Sequence, residues 1–278
     1  MITNLISFLY DINVDYIRKH HDNYIFSYNN SFYLFKRTFL KEEDIYYLNG
    51  YINIKSLFHL LIKNRYSRYL SSFNNGYFVL MKIKFKTNRN VLLEDICDDN
   101  IIISYVNRKN FKWVNLWKNK IDQVEYYINN SNIDIYNLSI INYYLSLGEL
   151  AINYFNNNVT NNVFPITFCH TRMKKDFDLY DYYSILDVVF DHYIRDVSEY
   201  IKCDIYSSKN IDLSNYKTIS KINDKDLLVA RLMFPSYFFD VIDEFIINNR
   251  DFIDFYKFFI DIDIYEANLV KVIELIKK

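Results

Sequence analysis

The chain has 278 residues, a length that suits one two-lobed domain or two small ones. Its 33 basic and 34 acidic residues nearly cancel, which leaves no electrostatic footprint for nucleic acid or an anionic membrane. With 51% hydrophobic and 19% aromatic residues a large core is expected, but 28 Tyr, 23 Phe and only 3 Gly also match the drift of an AT-rich genome, so aromatic abundance alone marks no interface. Cys97, Cys169 and Cys203 are odd in number and widely spaced, which excludes a disulfide framework or zinc spacing and favours a reducing compartment. The opening MITNLISFLYDINVDYIRK has neither a basic n-region nor a small-residue cleavage site. The longest stretch without Lys, Arg, Asp or Glu, Leu150 to Thr171, carries six asparagines and is too polar to span a membrane. The expectation is a soluble, cytoplasmic protein.

In chain order, residues 24–36 form two short alternating runs around Asn29-Asn30, a hairpin signal, with Lys36 at the end of the second run. Ile45, Leu48 and Ile52 set a helical stripe over 41–62. Runs 65–73 and 77–85 flank Asn74-Asn75-Gly76, a second hairpin. Beyond about residue 110 the period becomes helical, with Trp113, Trp117, Ile121, Val124 and Ile128 on one face and a further helix over 143–155. The Asn-rich stretch 156–162 reads as a loop ended by Pro165, and residues 185–190 suit a buried strand. A helix starts near Asp196, and Phe252, Phe255, Phe259 and Ile262 share one face, a core pattern. No linker separates independent domains. Residues 1–84 read as a small β-rich lobe and 85–278 as a larger helical lobe.

Three motifs carry more. Cys169-His170-Thr171-Arg172 precedes a hydrophobic run ending in Asp191, followed by His192-Tyr193-Ile194-Arg195-Asp196. Ala230 to Asp240 reads ARLMFPSYFFD, and Trp117-Lys118-x-Lys120-Ile121-Asp122 lies upstream. Together these resemble the spore-coat kinase-like family, in its YutH-like branch, a relative of the aminoglycoside phosphotransferases and protein kinases. The resemblance implies an α+β, bilobal, protein-kinase-like fold that binds ATP and magnesium in its active members.

Phosphoryl transfer in that fold needs a lysine on the phosphates, an acid to pair with it, a base, and metal ligands. By resemblance, Lys36 is the lysine, Glu42 or Glu43 its partner, and Asp191 the metal ligand. Read from the residues alone, Lys36 is equally an exposed strand-end lysine and Asp191 a cap on the turn into His192 and Arg195. The position of the base holds Arg172, which cannot accept a proton. An ion pair between Arg172 and Asp191 would fill the space of a magnesium ion. Among Asp176, Asp178, Asp181 and Asp187, only Asp187 lies in the apolar run and stands as a substitute base; the others read as solvated loop acids. His170 braces the loop, and Arg195-Asp196 anchors the strand before it.

The leading expectation is therefore a pseudokinase that acts through protein partners, in the spore coat or as an adaptor in the mother cell, with no nucleic-acid or membrane partner. The alternative is a small-molecule phosphotransferase that uses ATP and magnesium through Lys36, Asp187 and Asp191. A third reading makes the chain an unrelated α+β protein with coincidental motifs.

Overall fold

The computed structural model describes residues 2–98, 100–131, 133–173, 177–248, 250 and 252–278. The chain divides into two compact units, 1–91 with 176–189, and 92–175 with 190–278.

The first unit opens with helix α1 (Ile2–Tyr10), then strands β1 (Arg18–His20), β2 (Asn23–Tyr28) and β3 (Ser31–Thr38). Helix α2 (Glu42–Asn49) and strands β4 (Leu60–Ile62), β5 (Leu70–Phe73) and β6 (Gly76–Lys82) follow. Their sheet runs β1-β2-β3-β6-β4, with β5 also paired to β6. Both expected hairpins form. Asn29 and Asn30 (φ 46° and 57°), and Asn74 and Asn75 (φ 45° and 57°), occupy the left-handed region that a two-residue hairpin turn demands. Gly76, expected to serve the turn, is instead the first residue of β6, where an added Cβ would sit 3.1 Å from the Phe78 ring.

Four consecutive residues of β3, Tyr33 to Lys36, are buried, because both faces of that strand are covered. Phe35 joins Phe26, Tyr33, Phe78 and Leu80 in a core closed by Ile6 of α1, with Phe35 stacked on Phe78 at 4.9 Å. Such an aromatic pair adds ~0.5–1.5 kcal/mol beyond its buried area. Lys36 alternates with Phe35 and so belongs to the other face.

The helix expected over 41–62 is shorter. The acidic first turn Glu42-Glu43-Asp44 favours its start, but α2 stops at Asn49 and Gly50. Residues 60–62 pair with β6 instead, Leu61 opposite Met81, where an open sheet edge outweighs the helical spacing.

In the second unit come α3 (Leu93–Asp98), β7 (Ser104–Asn107), α4 (Trp113–Asn129), α5 (Ile135–Asn158) and β8 (Val163–His170). The predicted face of α4 is buried at Trp113, Trp117, Ile121 and Val124. Asp134 caps α5 by accepting from Tyr136 N and Asn137 N, both at 3.0 Å. The helix runs on through Asn158, so the Asn-rich loop is shorter than expected, and Pro165 lies within β8 opposite Tyr105 rather than closing that loop.

The chain re-enters the first unit with the short helix α6 (Leu179–Tyr182) and a 3-10 turn (Ile185–Asp187) before β9 (Val188–Asp191). The buried strand expected over 185–190 is thus a turn followed by a half-exposed strand: Ile185 and Leu186 are buried in the turn, while Phe190 is 37% exposed. Strand β9 completes a sheet of order β7-β8-β9.

Helices α7 (Ile194–Ser207), α8 (Lys225–Met233), α9 (Ser236–Ile247) and α10 (Ile262–Lys277) end the second unit. The aromatic face at 252–262 is buried at Phe252 and Phe255 as expected, but in a 3-10 turn before α10. Tyr144 of α5 stacks on Phe238 of α9 at 5.0 Å, which ties the two helices together. Among the described residues no helix is long and apolar enough to cross a membrane.

Candidate functional site

Lys36 is buried on β3 and donates to Asp181 Oδ1 at 2.8 Å, with Asp187 Oδ2 at 2.7 Å. Burial alone would pull its ammonium down, but Asp187 and Asp181 outweigh that and hold it above the usual lysine value. Asp181 gains correspondingly. Burial disfavours its charge, yet His20 and Lys36 hold it well below the ordinary carboxylate range. Asp178 caps α6 by accepting from Asp181 N at 3.0 Å, and this fixes the helix that carries Asp181.

The expected partners of Lys36 do other work. Glu42 accepts from Tyr69 N at 2.7 Å and Leu70 N at 3.0 Å, and Glu43 is exposed. Asp178 and Asp181, expected to be solvated loop acids, are both buried; Asp176 lies outside the described residues. Their Asp-x-x-Asp spacing at a helix start was the available signal. Asp187 turns inward, as its place in the apolar run suggested, but onto Lys36. His20 was not anticipated. Its ring sits 3.0 Å from Asp178 and 3.7 Å from Asp181, and the nearness of these two carboxylates, Asp178 first, raises its pKa to about 9.

In the second unit Asp191 accepts from Trp113 Nε1 at 2.9 and 3.1 Å through its two oxygens, from His192 N at 2.8 Å, and from Arg195 Nη1 at 2.9 Å. Three N–H donors, with that of Trp113 shared between both oxygens, thus occupy most of the roughly four acceptor sites of a carboxylate. A magnesium ion takes oxygen ligands at near-octahedral geometry. Asp191, surrounded by N–H donors, does not fit that role in this arrangement.

Arg172 does not pair with Asp191. It donates to Asp240 and lies 3.7 Å from Glu199, while Arg195, one turn along from Asp191, takes the expected place. His170 is buried and braced as expected. Asp196 holds its Nδ1 at 2.6 Å and its backbone N at 2.9 Å, and Arg195 donates to the carbonyls of His170 and Thr171 at 3.1 and 3.0 Å. The Arg195-Asp196 step therefore ties the His170 loop to the start of α7.

The motif over 230–240 supplies the third charged group. Arg231 donates to buried Glu199 at 3.2 Å, Ser236 Oγ donates to the same oxygen at 3.1 Å, and Lys202 donates to Ser236 Oγ at 3.0 Å. Arg231 also lies 4.7 Å over the Trp113 ring. Burial lowers the Lys202 ammonium to about 7, with Glu199 opposing the shift. Arg172, Glu199, Lys202, Tyr206, Tyr237 and Asp240 help line a cleft of about 630 Å³ in this unit.

Among solved structures, the fold is that of the aminoglycoside phosphotransferases. The aminoglycoside phosphotransferase of Alicyclobacillus acidocaldarius subsp. acidocaldarius DSM 446 matches with a TM-score of 0.62 at 9% identity, covering 100% of this chain and 97% of that one. The AMP-bound spectinomycin phosphotransferase matches at 0.56 and 11% identity, covering 100% and 98%. The chain belongs to the family described as "Spore coat putative kinase YutH", whose model matches residues 3–253. Its similarity to the endospore coat-associated protein YutH of Bacillus subtilis (strain 168) is 26% identity over 163 residues, 50% of this chain and 48% of that protein. The chain thus matches about half the length of that relative.

Proposed function

We propose that the chain is a kinase-fold protein without phosphotransfer activity that serves a spore coat through protein contacts. The observation that carries the reading is the state of Lys36: its ammonium is buried between two carboxylates and offers no free charge to a nucleotide phosphate. Two further departures agree with it. The position of the base is a guanidinium, and the expected metal ligand has its oxygens committed to Trp113, His192 and Arg195. The coat assignment rests on family membership and on the name of the Bacillus subtilis relative. Near-zero net charge agrees with a protein rather than a nucleic-acid partner.

The alternative, a phosphotransferase with displaced acids, requires Asp187 to leave Lys36 before it can serve as a base. A thermal-shift titration with ATP, with and without magnesium, separates the two. The expected result is no change in midpoint. A rise of several degrees that needs magnesium and disappears in Asp191→Ala would overturn the proposal. A fluorescent fusion in a spore-forming host tests the location, with a ring around the maturing spore expected and uniform mother-cell signal counting against it.

A further inference from the structure

We propose that His20, His21, Asp181 and Asp178 form a binding site for a single zinc ion. The cluster meets Lys36 only through Asp181, and it lies within the first unit alone.

The argument begins with separations. Nε2 of His20 is 3.0 Å from Asp178 Oδ2 and 3.7 Å from Asp181 Oδ2, and Nε2 of His21 is 3.9 Å from that same Asp181 oxygen. One ligand atom from each of His20, His21 and Asp181 lies within 4.8 Å of the others. Four ligands at ~2.0–2.1 Å from a tetrahedral ion are ~3.3 Å apart, so the 3.7 and 3.9 Å between the two histidines and Asp181 are close to those required, while Asp178, 3.0 Å from His20, has to move in towards the other two to complete the shell.

Bonding points the same way. Nε2 of His20 is buried and meets no hydrogen-bond geometry, even with a carboxylate oxygen 3.0 Å away. A second shell is already in place. Asp181 gives its other oxygen, Oδ1, to Lys36, which leaves Oδ2 facing the histidines. Asn88 donates to Asp178 Oδ2 at 2.5 Å, the oxygen that faces His20, and holds it there, where it would keep one lone pair for the ion.

His21 sits at the β1–β2 turn with φ 51°, and its side chain is 48% exposed, so an ion enters from its side. Two imidazoles and two carboxylates form a borderline donor set that suits zinc, whereas magnesium prefers all-oxygen shells. Binding would staple the turn at residues 20–21 to the helix start at 178–181, two segments far apart in sequence.

The test is equilibrium dialysis against zinc with metal analysis, repeated with cobalt(II) for its visible spectrum. The expected result is one zinc per chain, an intense tetrahedral cobalt spectrum, and a higher melting midpoint with zinc. Asn88→Ala should weaken binding ~10–100-fold as a second-shell loss, and His21→Ala by more than that. His21 is exposed, so its variant should fold, with far-ultraviolet circular dichroism as the check. Less than one zinc bound per wild-type chain, a weak octahedral cobalt spectrum, or unchanged affinity in His21→Ala would each overturn the proposal.

Discussion

Lys36→Met separates a lysine that holds the fold from one that waits for a nucleotide. Met keeps the length and apolar stem of the side chain but leaves Asp181 and Asp187 without their common cation. Removing one partner of a buried ion pair costs ~3–5 kcal/mol, because the other charge stays desolvated. Asp187 is 34% exposed and can recover water, and His20 still faces Asp181, so the low end applies, about 3 kcal/mol. At ~2–4 °C per kcal/mol for a chain of this size, the midpoint should fall by about 6–12 °C. Urea unfolding of wild type, Lys36→Met, Asp181→Asn and the double variant measures both cost and coupling. The double variant should recover much of the loss, because the carboxylate it still leaves without the lysine, Asp187, is 34% exposed and can be hydrated. A Lys36→Met loss below ~1 kcal/mol would refute the reasoning and return Lys36 to the pool of available phosphate ligands.

Three further outcomes are expected. Arg172→Asp restores an acid at the position of the base, yet ATP turnover should stay at background because Lys36 and Asp191 remain engaged; the variant should also melt lower, since it sets a third carboxylate beside Asp240 and Glu199. Magnesium-dependent turnover in that variant would count against the whole scheme. Glu199→Gln strips the counter-charge from Arg231 and Lys202 and should cost ~3–5 kcal/mol by urea unfolding, with a loss under ~1 kcal/mol as the contrary result. His59 is fully buried with its pKa lowered from 6.5 to about 4, chiefly by desolvation, so the folded state holds it neutral while the unfolded chain takes up a proton. Its contribution is intact above about pH 6.5 and is lost as pH falls towards 4, a cost of about 3 kcal/mol. Unfolding curves across that range should show the slope in wild type and a reduced slope in His59→Phe.

The parts that could be read from the chain were those fixed by neighbours in sequence. Both Asn-Asn turns were legible because a two-residue hairpin needs positive φ, which asparagine tolerates. The buried face of α4 was legible from helical spacing alone. His170 and the Arg195-Asp196 step were visible as a motif, and the structure joins them. The partners of Lys36 were not legible, since the burial of Asp181 depends on a sheet face contributed by residues far away. The Arg172–Asp191 pairing failed for a local reason. Arg195 follows Asp191 by four residues and reaches it within one turn, while Arg172 is drawn to acids on α7 and α9. The end of α2 was misread because the apolar spacing continues past Gly50, and only the edge of β6 decides what residues 60–62 become.

The separation of 145 positions from Lys36 to Asp181 also imposes a timetable. A ribosome adding ~5–20 residues per second delivers the aspartate about 7–30 s after the lysine. The hairpins and the α1 side of the sheet have every residue they need long before that. The opposite side has to stay wetted at Lys36 until its counter-charges emerge, for an ammonium sealed in alone would be too costly to keep. The nascent sheet is therefore finished on one side and held open on the other, and the segment 176–189 arrives late, as its bolt.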